Sequence, residues 1–152
     1  MKKLYTILLS TIYLLPVFST PLSNNNPDAI LGNWKTGEGT AVVQIFKQGS
    51  SYFGKIVWLK EPNNPTTGKP RIDANNSDPS KRNTPLLGLV NLRNFSFHKN
   101  NQWKDGKIYD QKSGDDYSCK ITMKDPNTIE VRGYIGISLL GRTDVWKRES
   151  KL

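Results

Sequence analysis

The sequence predicts an all-β fold, a small antiparallel up-and-down barrel with one long central loop. Three observations carry this. Beyond residue 28 no segment shows the apolar spacing of a long amphipathic helix. Glycine, asparagine and proline recur every few residues between short apolar runs, which is the punctuation of many short strands. The closing stretch, residues 131–148, reads Val-Arg-Gly-Tyr-Ile-Gly-Ile-Ser-Leu-Leu-Gly-Arg-Thr-Asp-Val-Trp-Lys-Arg and has no later strand to pair with. It must pair backwards, and the natural partner is Gly32-Asn33-Trp34, where the folded part begins. A meander whose last strand returns to its first closes into a barrel and leaves no free edge.

The strands follow in order. Residues 30–36 open the first, and Gly37-Glu38-Gly39 turns it. Ala41-Val-Val-Gln-Ile-Phe is the second, and Gly49-Ser50 fits a short hairpin into Tyr52-Phe-Gly-Lys-Ile-Val-Trp-Leu. In this third strand Tyr52, Gly54, Ile56 and Trp58 alternate with Phe53, Lys55, Val57 and Leu59, and the first set is the better inward face. Residues 60–85 are rich in proline and asparagine and read as a functional or surface loop. Apolar character returns at Pro85-Leu-Leu-Gly-Leu-Val-Asn-Leu and continues through Phe95-Ser-Phe-His. Asn100-Asn101, Lys112-Ser-Gly-Asp and Asp125-Pro-Asn then separate strands over 102–110, 116–123 and 128–135, with 136–146 last. The total is eight or nine strands.

The chain has 152 residues, enough for one core. Residues 1–19 read as a secretory signal peptide. Lys2 and Lys3 precede an apolar run, and Val17 and Ser19 are small enough for a signal-peptidase site. That run is too short to span a bilayer, so no membrane span is expected after cleavage. Residues 20–28 read as a disordered leader and 29–152 as a single barrel domain. The expected location is exported, periplasmic or extracellular.

Without Lys2 and Lys3 the 22 basic residues fall to 20 against 13 acidic ones, a net charge of +7. The cations are scattered rather than blocked, which argues against a nucleic-acid partner. The acidic cell envelope is the more fitting electrostatic partner. Cys119 is the only cysteine, so the domain has no internal disulfide and must stand on its core. Its position between Tyr117 and Ile121 on one strand face suggests a buried, inert thiol.

Few residues suggest chemistry. Asp73, Asn75 and Ser77 occupy alternate positions of a calcium-type loop, but Asp78 replaces the turn glycine and Thr84 the bidentate glutamate. No metal is expected there. Asx turns, and a helical turn begun by Asp78-Pro79, account for the same residues. The loop can also present Asp73, Asn75, Asn76, Asp78 and Arg82 to a ligand. His98 is the only histidine and lacks partners for zinc. Asp115 and Asp116 are adjacent, so they point to opposite faces of a strand. The aromatics Trp58, Tyr109 and Tyr134 fall in strands, where they fill a core or line a pocket. No cofactor motif is present.

Several motifs together carry a resemblance: Gly32-Asn-Trp-Lys-Thr, Gly54-Lys-Ile-Val-Trp-Leu, Asp73-x-Asn-Asn-x-Asp, Pro85-Leu-Leu-Gly-Leu, Trp103-x-Asp-Gly-Lys-Ile-Tyr-Asp, Tyr117-x-Cys, Val131-Arg-Gly-Tyr-Ile-Gly and Leu140-Gly-Arg-Thr-x-x-Trp. In this order the chain resembles the bacterial family called domain of unknown function 2147. The resemblance implies an exported protein with a lipocalin/calycin-like barrel and no established activity. It departs at Asn76-Ser77-Asp78, where the family usually carries a proline in the middle. It also implies that Trp34 packs under an arginine of the final strand, either Arg142 or Arg148, and closes the base together with Trp146.

These readings point first to a non-catalytic binding module for a small, partly apolar molecule or an envelope fragment. The alternatives are an envelope interaction protein using its basic surface, and a hydrolase using Asp73, Asp78 or Asp110.

Overall fold

Alternation of side chains builds the wall of this protein, and register shifts in four of its strand pairs interrupt it. A computed structural model describes residues 25–152. The strands are β1 (Gly32–Lys35), β2 (Ala41–Gln48), β3 (Ser51–Leu59), β4 (Val90–His98), β5 (Gln102–Asp110), β6 (Asp115–Asp125), β7 (Thr128–Tyr134) and β8 (Gly141–Arg148). Each pairs antiparallel with its neighbour in sequence, and β1 pairs with β8 through Trp34↔Arg148 and Lys35↔Lys147. The result is a closed eight-stranded meander barrel. The signal peptide expected over 1–19 and most of the expected leader lie outside the described residues.

One end is short-turned and filled. The turns between β2 and β3, β4 and β5, and β6 and β7 all lie there. Trp34, Ile45, Tyr52, Phe95, Trp103, Ile121, Met123 and Ile129 pack the interior. Burying each of the larger side chains contributes about 1.5–3 kcal/mol. Gly106 makes room for this layer, since a methyl group there would lie 2.5 Å from the Phe95 ring.

A 3-10 turn, Pro27–Ile30, plugs the filled end. Trp34 Nε1 donates to Ile30 O at 2.8 Å, and Trp103 Nε1 to Pro27 O at 3.1 Å. Tyr52 and Lys47 both donate to Asp28. The leader expected to extend to Asp28 therefore overlaps ordered structure at Asn26, Pro27 and Asp28. Asn26 caps the turn through its side chain, and Pro27 begins it.

Arg148 seals the plug to the wall. Its guanidinium lies 4.2 Å from the centre of the Trp34 ring. It donates to the carbonyls of Pro126, Leu31 and Ala29 at 2.7, 2.9 and 2.8 Å. Of the two arginines weighed for this place, Arg148 takes it. Arg142 sits at the other end of β8.

Two further expectations change. Residues 85–89 are not strand: Ile56 N–H donates to Leu89 O and Gly88 N–H to Ile56 O, and β4 begins at Val90. Trp58 does not face inward. The β2–β3 register shifts between Val42 and Val43, so Val43 pairs with Ile56 but Val42 pairs with Trp58. The extra residue, Val57, throws Trp58 to the outer face, where Lys35 Nζ lies 5.6 Å from its ring.

Candidate functional site

The other end of the barrel is open. Gly106, Cys119, Gly133 and Arg142 stand in one cross-strand row. Phe95 covers Gly106 and Cys119 is fully buried, but beside Gly133 and Arg142 the interior stays unfilled. The space is a cup of about 550 Å³, within the usual range for small-molecule sites. Val43, Ile56, Ile108, Val131 and Trp146 form its apolar surface. Tyr117 contributes a polar tip, and Arg142 and Asp144 stand toward the mouth.

Asn91 is the unusual member of this lining. Lys55 pairs with Val90 and Gly54 with Leu92, so Asn91 is an extra residue bulged against β3. The bulge brings it to the cup beside the inward Leu92. It is only 7% exposed, and its Oδ1 has no hydrogen-bond partner among the described residues. An unsatisfied buried amide oxygen costs about 1–3 kcal/mol.

Asp144 and Arg142 differ in their engagement. Asp144 Oδ2 accepts from Trp146 Nε1 at 2.7 Å and from the Gly37 backbone N–H at 3.3 Å. Arg142 has neither hydrogen bond nor ion pair to a protein group among the described residues. Beside them the wall is incomplete. β1 ends at Lys35, and the upper half of β8 has no strand on that side. A hollow of about 710 Å³ lies there, lined by Lys35, Gly37, Glu38, Thr143, Asp144 and Lys147 among others. It shares Thr36, Glu38, Arg142, Thr143 and Asp144 with the cup.

Of the residues proposed from sequence, Asp73, Asn75, Asn76, Asp78 and Arg82 gather in the excursion at 60–89, while Tyr109 and Tyr134 are among the residues lining the cup. Asp73 is fully buried. Its carboxylate accepts from Tyr109 Oη at 2.8 Å and from Asn76 Nδ2 at 2.6 Å. Burial, and then the hydrogen bond to Asp73, push the Tyr109 phenol up to about 12. Asp73 thus fastens the excursion to β5. Asn75 Nδ2 donates to the carbonyls of Gln111 and Lys112. Gly114, with φ +77°, lets the chain pass there, because a methyl group would lie 1.9 Å from Asn75 O.

Asp78 caps the short turn Pro79–Lys81, accepting from Ser80 N–H and Oγ, and these bonds lower its pKa. Arg82 Nε donates to Asn76 O at 2.8 Å. Tyr134 lies at the rim opposite Gly141. Cys119 is fully buried below the cup, and burial pushes its thiol up to about 12, which keeps it protonated and unreactive. Among the described residues no group of acidic, His or Cys side chains is arranged to hold a metal.

Sequence reasoning missed Asn91 as a site residue and gave Arg142 and Trp146 a closure role only. The position of Asn91 depends on a bulge that no residue pattern announces. The cup lining could have been found by following the inward alternation of β6 to β8 to its open end.

A closed eight-stranded meander barrel, plugged at one end by its N-terminal turn and open at the other, is a lipocalin-like fold. The chain belongs to the family DUF2147, described as uncharacterized proteins conserved in bacteria, whose model matches residues 32–148. Among solved structures it is similar to protein HP1028 from the human pathogen Helicobacter pylori, described as belonging to the lipocalin family. The TM-score is 0.69 at 21% identity, covering 80% of this chain and 84% of that one. No curated protein matches the chain.

Proposed function

We propose that this protein is an exported, non-catalytic binding module. It takes a small, partly apolar molecule or an envelope fragment into the open half of its barrel. The observation that carries this is the cup itself: an apolar lining of Val43, Ile56, Ile108, Val131 and Trp146, with the polar Asn91 among them. The apolar part of the ligand packs on Trp146 and the aliphatic wall, a donor group meets Asn91, and an acceptor or anionic group meets Arg142 at the mouth. The excursion residues Asp73, Asn75, Asn76, Asp78 and Arg82 act indirectly, by holding the turn between β5 and β6 at the rim. Export is supported by the basic, then apolar, first residues, and the chain works in the periplasm or outside the cell.

Trp146 supplies the readout. A brominated long-chain fatty acid should quench its fluorescence, while Trp34 and Trp103 in the filled half should be spared. Gly133→Leu fills the cup, since a methyl group at 133 already lies 3.3 Å from Ile108 Cγ2. It should abolish quenching with the fold retained by circular dichroism. Equal quenching in Gly133→Leu would place the ligand elsewhere. Absence of binding by brominated fatty acids, bile-type amphiphiles and muropeptides alike would remove the reading.

A further inference from the structure

The connection between β7 and β8 leaves four large apolar side chains in solvent. Ile135, Ile137, Leu139 and Leu140 are 71, 61, 81 and 75% exposed. The backbone beneath them is nevertheless fixed. Arg132 donates from Nε to Ser138 O at 2.8 Å, from Nη2 to Leu139 O at 3.2 Å and from Nη1 to Thr143 Oγ1 at 2.7 Å. Leu140 N–H donates to Ile137 O and closes the 3-10 turn Ser138–Leu140. The loop is thus held with its polar groups satisfied and its apolar groups outward. A contiguous apolar patch of this kind on a water-facing rim marks an interaction site.

Its surroundings narrow the partner. Ile135 and Leu140 also line the cup, so apolar surface runs from the cup over the rim to the loop tip. On the other connections of this end, Glu38, Glu61 and Asp78 are each paired, with Lys112, Arg71 and Lys81. Arg132 and Arg142, at the two ends of the loop, have no ion-pair partner among the described residues, and the nearby Asp144 is engaged by Trp146 and Gly37. Asp110 and Asp115 are the acids of the β5–β6 turn left without an ion pair. An apolar tip flanked by unpaired cations suits the boundary between lipid headgroups and acyl chains. It suits a second copy poorly. A stable interface needs roughly 800 Å² from each partner, more than four side chains supply, and the flanking cations would repel their own kind.

We propose that the β7–β8 loop docks the open mouth of the barrel on an anionic lipid surface. Ile135, Ile137, Leu139 and Leu140 enter the acyl boundary, and the unpaired cations meet lipid phosphates. Docking does not require that the cup take a ligand, so the two readings can fail separately. It would, however, let an apolar molecule pass from bilayer to cup without crossing water.

The test is vesicle co-sedimentation of the chain from residue 20 onward, whose eight strands and plug all lie within the described residues. Vesicles of phosphatidylcholine are compared with vesicles that also contain phosphatidylglycerol. The expected result is binding to the anionic vesicles that weakens with salt, and a loss of about tenfold or more in the double variant Ile137→Ser/Leu139→Ser. Both positions are solvent-facing, and circular dichroism should be unchanged. Leu139→Trp should bind at least as well and show a blue-shifted emission on vesicles. Unchanged binding by the double variant, an unshifted Leu139→Trp emission, or equal binding to neutral vesicles would overturn the proposal. So would self-association in vesicle-free solution that the double variant relieves, which would assign the loop to a second copy instead.

Discussion

Arg148 gathers three backbone carbonyls from segments far apart in the chain and stacks on Trp34, so one side chain joins the plug, the last strand and the β6–β7 turn. Burial lowers its pKa, though a guanidinium stays charged at any ordinary pH. Arg148→Ala removes the stacking and leaves those carbonyls to water or to nothing. Urea unfolding should show a loss of about 2–4 kcal/mol. Arg148→Lys should recover part of this, because an ammonium keeps the charge and loses the planar fork. Arg82→Ala, which gives up one exposed hydrogen bond, should cost under about 1 kcal/mol. The family resemblance made an arginine over Trp34 legible but left Arg142 and Arg148 undecided. Register decides between them, since only Arg148 pairs with Trp34.

At the scale of elements, the excursion shows what local residue chemistry can and cannot announce. The Asp78-Pro79 turn start was legible, since cap and proline lie next to each other. The burial of Asp73 was not, because its partner Tyr109 lies 36 residues away on a strand. Likewise the alternation of β3 reads correctly from Tyr52 to Ile56 and then fails at Trp58, because the register shifts opposite Val42 and Val43.

The Asp73–Tyr109 contact has a pH signature. The phenol is raised from 10 to about 12 in the fold, so the folded state holds its proton more tightly than the unfolded chain. Its contribution is complete below pH 10 and is lost as pH rises through about 12. Absorbance titration should find one tyrosine ionising near the upper value. Tyr109→Phe should remove that step and cost about 1–3 kcal/mol at neutral pH, because Asp73 keeps only Asn76. Susceptibility of the excursion to proteolysis should rise with it. A Tyr109→Phe chain with the same alkaline transition would show that the excursion is held by other contacts.

For the whole molecule, strand number, antiparallel order and closure followed from the punctuation of the sequence, and the structure has all three. Which half of the barrel is filled did not follow, because it depends on how rows of small and large side chains align across eight strands. Cys119 and Gly133 read as unremarkable strand residues in isolation. Only in register does Cys119 join the core and Gly133 fall beside the space that Asn91 and Trp146 line.

The seam between β1 and β8 also has a topological consequence. Glu149 N–H donates to Asn33 O, and Arg148 reaches Ala29, so the first and last described segments lie side by side. To the barrel the chain is a ring, and the place where it is cut is incidental. Joining residue 152 to residue 25 through a short flexible linker and reopening the chain in the exposed turn at residues 64–69 should preserve the strand spectrum and a single cooperative melt. Loss of that cooperativity would mean that the plug must be laid down first, and that the order of synthesis, rather than the closed wall alone, determines how this barrel forms.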